Sequence, residues 1–357
     1  MRVLHMIPDI GIANGVMSVI LNYFKAMPDD IKFDVCYFAE KEETRQADIE
    51  KLGGRVFKIP APSPKGLLRR DMSRFFAQHK GEWEALHIHA PHFAVFMAPQ
   101  AKAAGIKKIC CHCHSTCYSL KENQTRNKIL SLYSRYFIKT KFACSQEAGR
   151  LWYGKTDFTV LNNAIDCADY VFDDKKRNSV REEMGLNDSF VVGHIGKTDV
   201  IQKNHPFLIK VFAQIKKIKQ NATLLLIGAD ETKELENLCL ELSVKDSVRF
   251  LGARTDVPLL LQACDVFLFP STKEGLPVSL IEAQAAGLPA LISDSITDEV
   301  CVTDDICKMS LNSPPSVWAD KLIEFSEMPR KNNSDKLTYA GWDISSCVEI
   351  LKKYYLM

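Results

Sequence analysis

No stretch of the 357 residues approaches the ~18 consecutive apolar residues that a membrane-spanning helix requires. The opening run 1–7 is cut off by Pro8, is too short for the core of an export signal, and reads as a first strand. Without such a signal the 12 cysteines read as free thiols of a reducing cytoplasm, not as a disulfide framework. No low-complexity tract and no repeat of roughly 20–50 residues is present, which excludes solenoids and arrays. The loop after the first strand lacks Gly-x-Gly-x-x-Gly, so the dinucleotide fingerprint is missing. No Asp-x-Asp pair stands ready for a metal, and no motif that reads RNA or DNA occurs. Composition is otherwise ordinary, at 46% hydrophobic and 25% charged, which argues against long disorder and leaves room for two domains.

What is present is uneven. The net charge of +2 conceals +7 over residues 1–170 and −5 over the remainder. Most of the excess lies in residues 61–160, with 16 basic and 6 acidic side chains, so the first half is suited to something anionic unless its surface is merely solvated. Apolar runs alternate with helical periodicity throughout, the pattern of α/β domains with parallel sheets. Strands are expected at 3–7, 32–38, 55–59, 85–89, 107–113, 142–144 and 158–161, then at 190–195, 223–227, 248–250, 265–269 and 289–292. Helices are expected at 15–27, 45–51, 66–78, 93–104, 128–137 and 145–152, then at 205–218, 233–242, 257–263 and 277–286. The polar stretch Asp166–Arg181 reads as a linker, giving domains at 1–165 and 166–340 and a terminal helix at 341–357.

The densest chemistry sits at Pro270-Ser271-Thr272-Lys273-Glu274-Gly275-Leu276-Pro277-Val278-Ser279-Leu280-Ile281-Glu282-Ala283. An apolar strand at 265–269 leads into a loop and then a helix opening at Pro277, which suits a first helical position. Backbone N–H groups from Gly275 to Ser279 would point out of the helix start, where the dipole favours a diphosphate. Glu274 and Glu282 stand eight apart across this junction. Two solvated acids on an ordinary amphipathic helix are the alternative. The whole string, through Gly287-Leu288-Pro289, resembles the Glu-(seven residues)-Glu motif of retaining glycosyltransferases of family 4. That resemblance implies an α/β GT-B fold, two Rossmann-like domains with parallel sheets facing a central cleft. Family members carry an Asn-x-Ile/Val-Asp segment at the crossing, matched here by Asn163-Ala-Ile-Asp166, and end in a helix that returns to the first domain, a part that 344–355 could play.

Several further segments fit the resemblance. Gly196-Lys197 ends a strand, and Lys203-Asn204-His205-Pro206 opens a helix. Both lysines could serve as point charges on a leaving diphosphate, although the family usually has arginine in the place of Lys197. Gly11 and Gly15 look like a shortened glycine loop, with Asn14-Gly15 for the usual glycine pair. Gly252 begins a loop that the family uses to hold the nucleotide base. Cys110-Cys-His112-Cys113-His114 invites a zinc site, yet a strand would face successive ligands in opposite directions. By the family's strand-end pattern His114 takes the position of the active-site histidine, beside the transferred sugar, and His112 is a packed strand residue. His89 is a candidate on the acceptor side, with a satisfied core histidine as its alternative.

The resemblance thus implies a cytoplasmic enzyme that moves a sugar, with retained configuration, from a nucleoside-diphosphate sugar such as a UDP-sugar to a glycan or lipid-linked glycan in capsule or exopolysaccharide synthesis. It implies no metal and no bound cofactor, the sugar nucleotide being a co-substrate. His114, Lys197, Lys203 and Glu274 would act on the reacting groups. Gly15, Gly196, Gly252, Gly275, Leu276, Pro277, Val278 and Glu282 would hold the donor. Gly11, Asn14 and His89 would lie on the acceptor side. Basic and aromatic residues interleave at 65–76 and 126–141, faces suited to an anionic membrane, a lipid diphosphate or plain solvent, and less to nucleic acid. A nucleotide-sugar epimerase and a catalytically idle sugar-nucleotide-binding subunit remain as alternatives, the latter because of Lys197.

Overall fold

Apolar runs without polar alternation become strands buried on both faces. Residues Ala222–Ile227, with the sequence ATLLLI, form such a strand with every residue buried. The computed structural model describes residues 1–68, 70–119 and 123–357. It divides into two units, one of Met1–Ala164 with Ile344–Met357 and one of Ile165–Asp343.

The first unit is built on strands β1 (Arg2–Met6), β2 (Lys32–Tyr37), β3 (Val56–Lys58), β4 (Ala85–Ile88), β5 (Lys108–Cys113), β6 (Thr140–Ala143) and β7 (Thr159–Val160). All pair in parallel in the order β3-β2-β1-β4-β5-β6-β7. The chain order reverses between β1 and β4, the switch point at which open α/β sheets bind ligands. The helix after β1, Gly15–Ala26, starts where the Asn14 side chain accepts from the N–H groups of Val16 and Met17. The terminal helix Ile344–Leu356 packs on this unit: the Tyr355 hydroxyl lies 2.6 Å from His87 Nδ1, and Lys108 Nζ donates to the Tyr355 carbonyl.

The second unit has β8 (Phe190–Ile195), β9 (Ala222–Ile227), β10 (Val248–Phe250), β11 (Val266–Phe269), β12 (Ala290–Ser293) and β13 (Ile306–Met309). They are parallel in the order β10-β9-β8-β11-β12-β13, with the switch between β8 and β11. Its core joins Val192, Leu208, Phe212, Leu224, Leu226 and Trp318.

Four expectations are corrected. The polar stretch 166–181 is not a linker. It forms helices Cys167–Tyr170 and Asp174–Glu183, the second capped by the Asp173 side chain. Its polarity has a structural use: Arg177 and Arg181 both reach Asp265, which in turn accepts from the Val191 N–H at 2.7 Å. The single helix expected over 66–78 is two, Pro64–Leu68 and Asp71–Gln78, with Arg70 left-handed (φ 58°) at the break; Arg69 lies outside the described residues. Pro277 is not the first helical residue but the cap, extended (ψ 107°) before the helix Val278–Ala285. Finally, β13 and helices Pro315–Phe325 and Ser334–Tyr339 lie beyond the last element expected in that domain.

Candidate active site

At the switch point of the second unit, β8 ends at Ile195 and is followed by Gly196 and the exposed Lys197. The segment after it turns back at Asn204, which is left-handed (φ 56°) and donates through Nδ2 to the Pro270 carbonyl at 3.2 Å. This turn carries the Lys203 side chain across the end of β8. A Cβ on Gly196 would lie 2.9 Å from Lys203 Cδ and Cε, so a larger residue there would push the lysine side chain off its present path. Lys203 Nζ sits 4.9 Å over the Phe269 ring and 2.8 Å from Glu274 Oε1. Both side chains are largely covered, at 16% and 8% exposure, so the ion pair is held in a low-dielectric setting. Gln202 Nε2 donates to the other Glu274 oxygen at 3.3 Å, and the Thr272 N–H donates to the Gln202 carbonyl at 2.8 Å, tying the two loops together.

Gly196, Gly228 and Gly252 line up beside this pair. Gly228 (φ 86°) donates to the Gly252 carbonyl at 2.7 Å, and a Cβ there would meet the Gly196 carbonyl at 3.3 Å. Three adjoining glycines leave backbone open to close approach by a ligand. Pro277 offers no side-chain cap, so the first N–H groups of Val278–Ala285 keep their capacity for an anion. Glu282 lies in that helix, where its Oε1 accepts from the Tyr170 hydroxyl at 2.8 Å. Burial and the neighbouring Glu282 push the Tyr170 phenol well above its ordinary range, so it stays a donor. The structure therefore gathers Gly196, Lys203, Glu274 and the loop Gly275–Val278 at one strand end. Sequence reasoning missed Gln202, Asn204 and Tyr170; Asn204 alone left a trace, beside Lys203 at a helix start.

The switch point of the first unit is built differently. After β1, Asn14 Nδ2 donates to the Asp9 carbonyl at 2.9 Å, and the Gly11 N–H donates to Asp9 Oδ1 at 3.1 Å. Gly11 is packed, since a Cβ would meet Lys41 Cγ at 3.0 Å, whereas nothing lies within 4 Å of a Cβ on Gly15. A cavity of about 260 Å³ opens here, lined by Asp9, Asn14, His89, His92, His114 and Trp152, among others. Histidines dominate its floor. His89 Nδ1 lies 2.9 Å from His114 Nε2, His114 Nδ1 lies 2.8 Å from Asn163 Oδ1, and His5 Nδ1 lies 2.9 Å from His89 Nε2. Burial holds these rings neutral: His114 falls to about 4 and His5 to about 3, while His89 drops well below its usual value through burial and then the nearby histidines. His112 is buried and its Nε2 lies 3.2 Å from the Leu161 carbonyl, in keeping with a packed strand residue. The cysteines of β5, Cys110, Cys111 and Cys113, are fully buried, and burial raises each thiol. His5 and His87 were given no role in the sequence, and Asn163 only one in the crossing segment; strand register sets His5 opposite His87 behind His89, and the loop after β7 carries Asn163 to His114.

Residues 172–341, nearly the whole of the second unit, match the family model described as glycosyl transferases group 1. The putative glycosyltransferase EpsF of Bacillus subtilis is 28% identical over 99% of this chain and 96% of its own length. The UDP-Gal:alpha-D-GlcNAc-diphosphoundecaprenol alpha-1,3-galactosyltransferase of Escherichia coli is 24% identical over 96% of this chain and 94% of its own. Among solved structures, HepE of Anabaena in complex with UDP and glucose superposes with a TM-score of 0.81 at 19% identity, covering 99% of this chain and 98% of that one. At that identity the likeness shows the fold, which is GT-B: two Rossmann-like α/β domains with parallel sheets.

Proposed function

We propose that the protein transfers a sugar from a nucleoside-diphosphate sugar, a UDP-sugar, to a glycan or lipid-linked glycan acceptor in cell-surface polysaccharide synthesis. The observation that carries this reading is the Lys203–Glu274 pair at the end of β8, beside three glycines and an uncapped helix start. Breaking a glycosyl–phosphate bond builds negative charge on the departing diphosphate. Lys203, Lys197 and the N–H groups after Pro277 would stabilise that charge in a site already largely shielded from water, and such stabilisation typically contributes more to the rate than any other single effect. As the diphosphate draws the Lys203 ammonium, Glu274 is left to orient the donor sugar. Glu282 takes ribose hydroxyls. His114 stands at the transferred sugar and presents its main-chain carbonyl. Gly15 serves the donor, and Gly11, Asn14 and His89 the acceptor side. With two cations supplying the charge, the reaction needs no metal and no bound cofactor, and the configuration at the anomeric carbon is retained.

A peripheral site at the cytoplasmic face of the membrane fits an inverted helix of the first unit. Helix Gln124–Phe137 buries Asn127, Ser131 and Ser134 but exposes Ile129, Tyr136 and Phe137 by 60% or more. The exposed Arg126, Lys128 and Lys139 flank these apolar groups. An apolar face framed by bases is suited to anionic lipid. No helix among the described residues is long and apolar enough to cross a membrane.

The test is incubation with UDP-, GDP- and ADP-sugars, with and without an undecaprenyl-diphosphate-linked sugar, in the presence of a chelator. UDP release that depends on the acceptor, with an axial or equatorial linkage matching the donor, is expected. Conversion of the donor to a new nucleotide sugar without acceptor, or donor binding without turnover on any acceptor, overturns the reading.

A further inference from the structure

His5 lies in β1, and His89 and His114 are the first residues beyond β4 and β5. The parallel register sets His5 opposite His87 and Ile88 opposite Cys111, so alternate residues of three adjacent strands place their imidazoles on one face. The rings stack at centroid distances of 5.2 Å for His5 with His89 and 5.1 Å for His89 with His114. Their nitrogens meet in sequence: Asn163 Oδ1, His114 Nδ1 and Nε2, His89 Nδ1 and Nε2, His5 Nδ1.

A neutral imidazole has one donor and one acceptor nitrogen, and an amide oxygen only accepts. Asn163 Oδ1 therefore requires N–H at His114 Nδ1. Nε2 of His114 is then an acceptor, which requires N–H at His89 Nδ1. The same step repeats at His89 and requires N–H at His5 Nδ1. The chain ends on His5 Nε2, buried without a partner among the described residues. In this direction the orphan is a lone pair. Run the other way it would be a buried N–H without an acceptor, the rarer and costlier defect. We infer that Asn163, His114, His89 and His5 form a one-directional chain of neutral imidazoles, each protonated on Nδ1, which fixes the His114 ring and makes His89 and His5 positioning residues of the proposed site.

Two consequences follow. Both ring nitrogens of His114 are committed within the protein, so His114 serves neither as general acid nor as general base and meets substrate through its main chain and ring carbons. The cluster is also unsuited to a metal ion. Two groups, His5 with His87 and His89, and His89 with His112 and His114, come close enough to suggest one, but in each the nitrogens of His89 are already turned onto a neighbouring imidazole, His5 or His114, at 2.9 Å. The role of the chain in transfer rests on the function proposed above; its protonation pattern does not.

The experiment is long-range ¹H–¹⁵N correlation on the full chain labelled at histidine, without ligand, at pH 7. Signals are assigned by their loss in His5→Gln, His89→Asn and His114→Gln. The Nδ1–H form is expected for all three, with couplings across the hydrogen bonds between His114 Nε2 and His89 Nδ1 and between His89 Nε2 and His5 Nδ1. An Nε2–H form or an imidazolium at any of the three overturns the inference, as does uptake of one equivalent of zinc with loss of these couplings. In transfer assays His89→Leu should lower kcat tenfold or more, because a misplaced wall costs orientation, with the donor KM unchanged. His89→Asn, which keeps a donor near the place of Nδ1, should restore most of it. Equal losses in the two variants overturn the positioning role. The expected spectrum from a protein inactive on every acceptor would instead sink the proposed function and leave the chain standing.

Discussion

The two units share one strand order, to which the first adds a seventh strand, and furnish its switch point with opposite chemistry. Beyond β8 and β11 the side chains are charged: Lys203 on Glu274, with Lys197 nearby. In and just beyond β1, β4 and β5 the floor is instead neutral imidazoles stacked on one another. The sheet supplies only the place, a set of strand ends diverging around a gap. What the place can bind is decided by which residues the register delivers. Charge suits a group whose own charge grows during reaction. A neutral, hydrogen-bonded wall suits a group that must be held without being protonated.

Acid should separate the units most strongly. Six histidines of the first unit, His5, His87, His89, His92, His112 and His114, have folded pKa values below the ordinary value of about 6.5, chiefly through burial. The second unit has two, His194 and His205. Each is neutral when folded and takes up a proton when unfolded, so its stabilisation is complete above about pH 6.5 and is lost as pH falls toward the folded values, about 3 for His5 and about 4 for His92 and His114. One such histidine costs about 1.4 kcal/mol per pH unit. The ceiling is about 8 kcal/mol per pH unit for the first unit and about 3 for the second. Hydrogen exchange, normalised to the intrinsic rate at each pH from 7.5 to 5, should show the first unit opening first. Parallel loss in both would mean that the histidine wall is not as dry as its burial implies.

The charged half is tested by splitting its pair. Lys203→Met leaves the Glu274 carboxylate nearly covered and without its cation, and should cost up to about 3 kcal/mol of stability in the second unit, the low end of the range for severed buried pairs because some solvent reaches this one. Glu274→Gln removes charge from the other side and should lower kcat about a hundredfold with a smaller change in stability. The double variant should recover more than 1 kcal/mol of the summed stability losses, as side chains in direct contact do. Strict additivity, measured by chemical denaturation, would make the ion pair a bystander.

The difference between the halves also explains what could be read from sequence. The charged half is largely local: Gly196 to Lys203 and Glu274 to Glu282 are two short strings, and their loop-to-helix context is visible in glycine, proline and apolar runs. Every strand expected was found to within two residues, since buried parallel strands are unbroken apolar runs. The failures were of another kind. Residues 166–181 looked like a linker because their apolar content is low, yet Arg177 and Arg181 fold the segment by hydrogen bonds and charge. The helix expected over 66–78 breaks at Arg70 although nothing in its periodicity marks the spot. The histidine wall needs five residues from three strands together with Asn163, separated by up to 158 positions from His5 to Asn163, and no local pattern encodes that meeting.

The smallest effect is the one that assigns the second glutamate. Tyr170→Phe removes only the hydroxyl that donates to Glu282 Oε1 at 2.8 Å, and should cost about 1 kcal/mol of stability. Tyr170 lies in the helix Cys167–Tyr170 and not in the loop that carries Glu274, so its loss should loosen Glu282 without touching the Lys203 pair. If Glu282 holds ribose, the donor KM should rise a few-fold while kcat stays put, because a contact equal in ground and transition states changes binding alone. Glu282→Ala should move the same constant further in the same direction. A fall in kcat with KM unchanged in Tyr170→Phe would instead place Glu282 at the transferred sugar, and the two glutamates would then have to exchange the roles proposed for them.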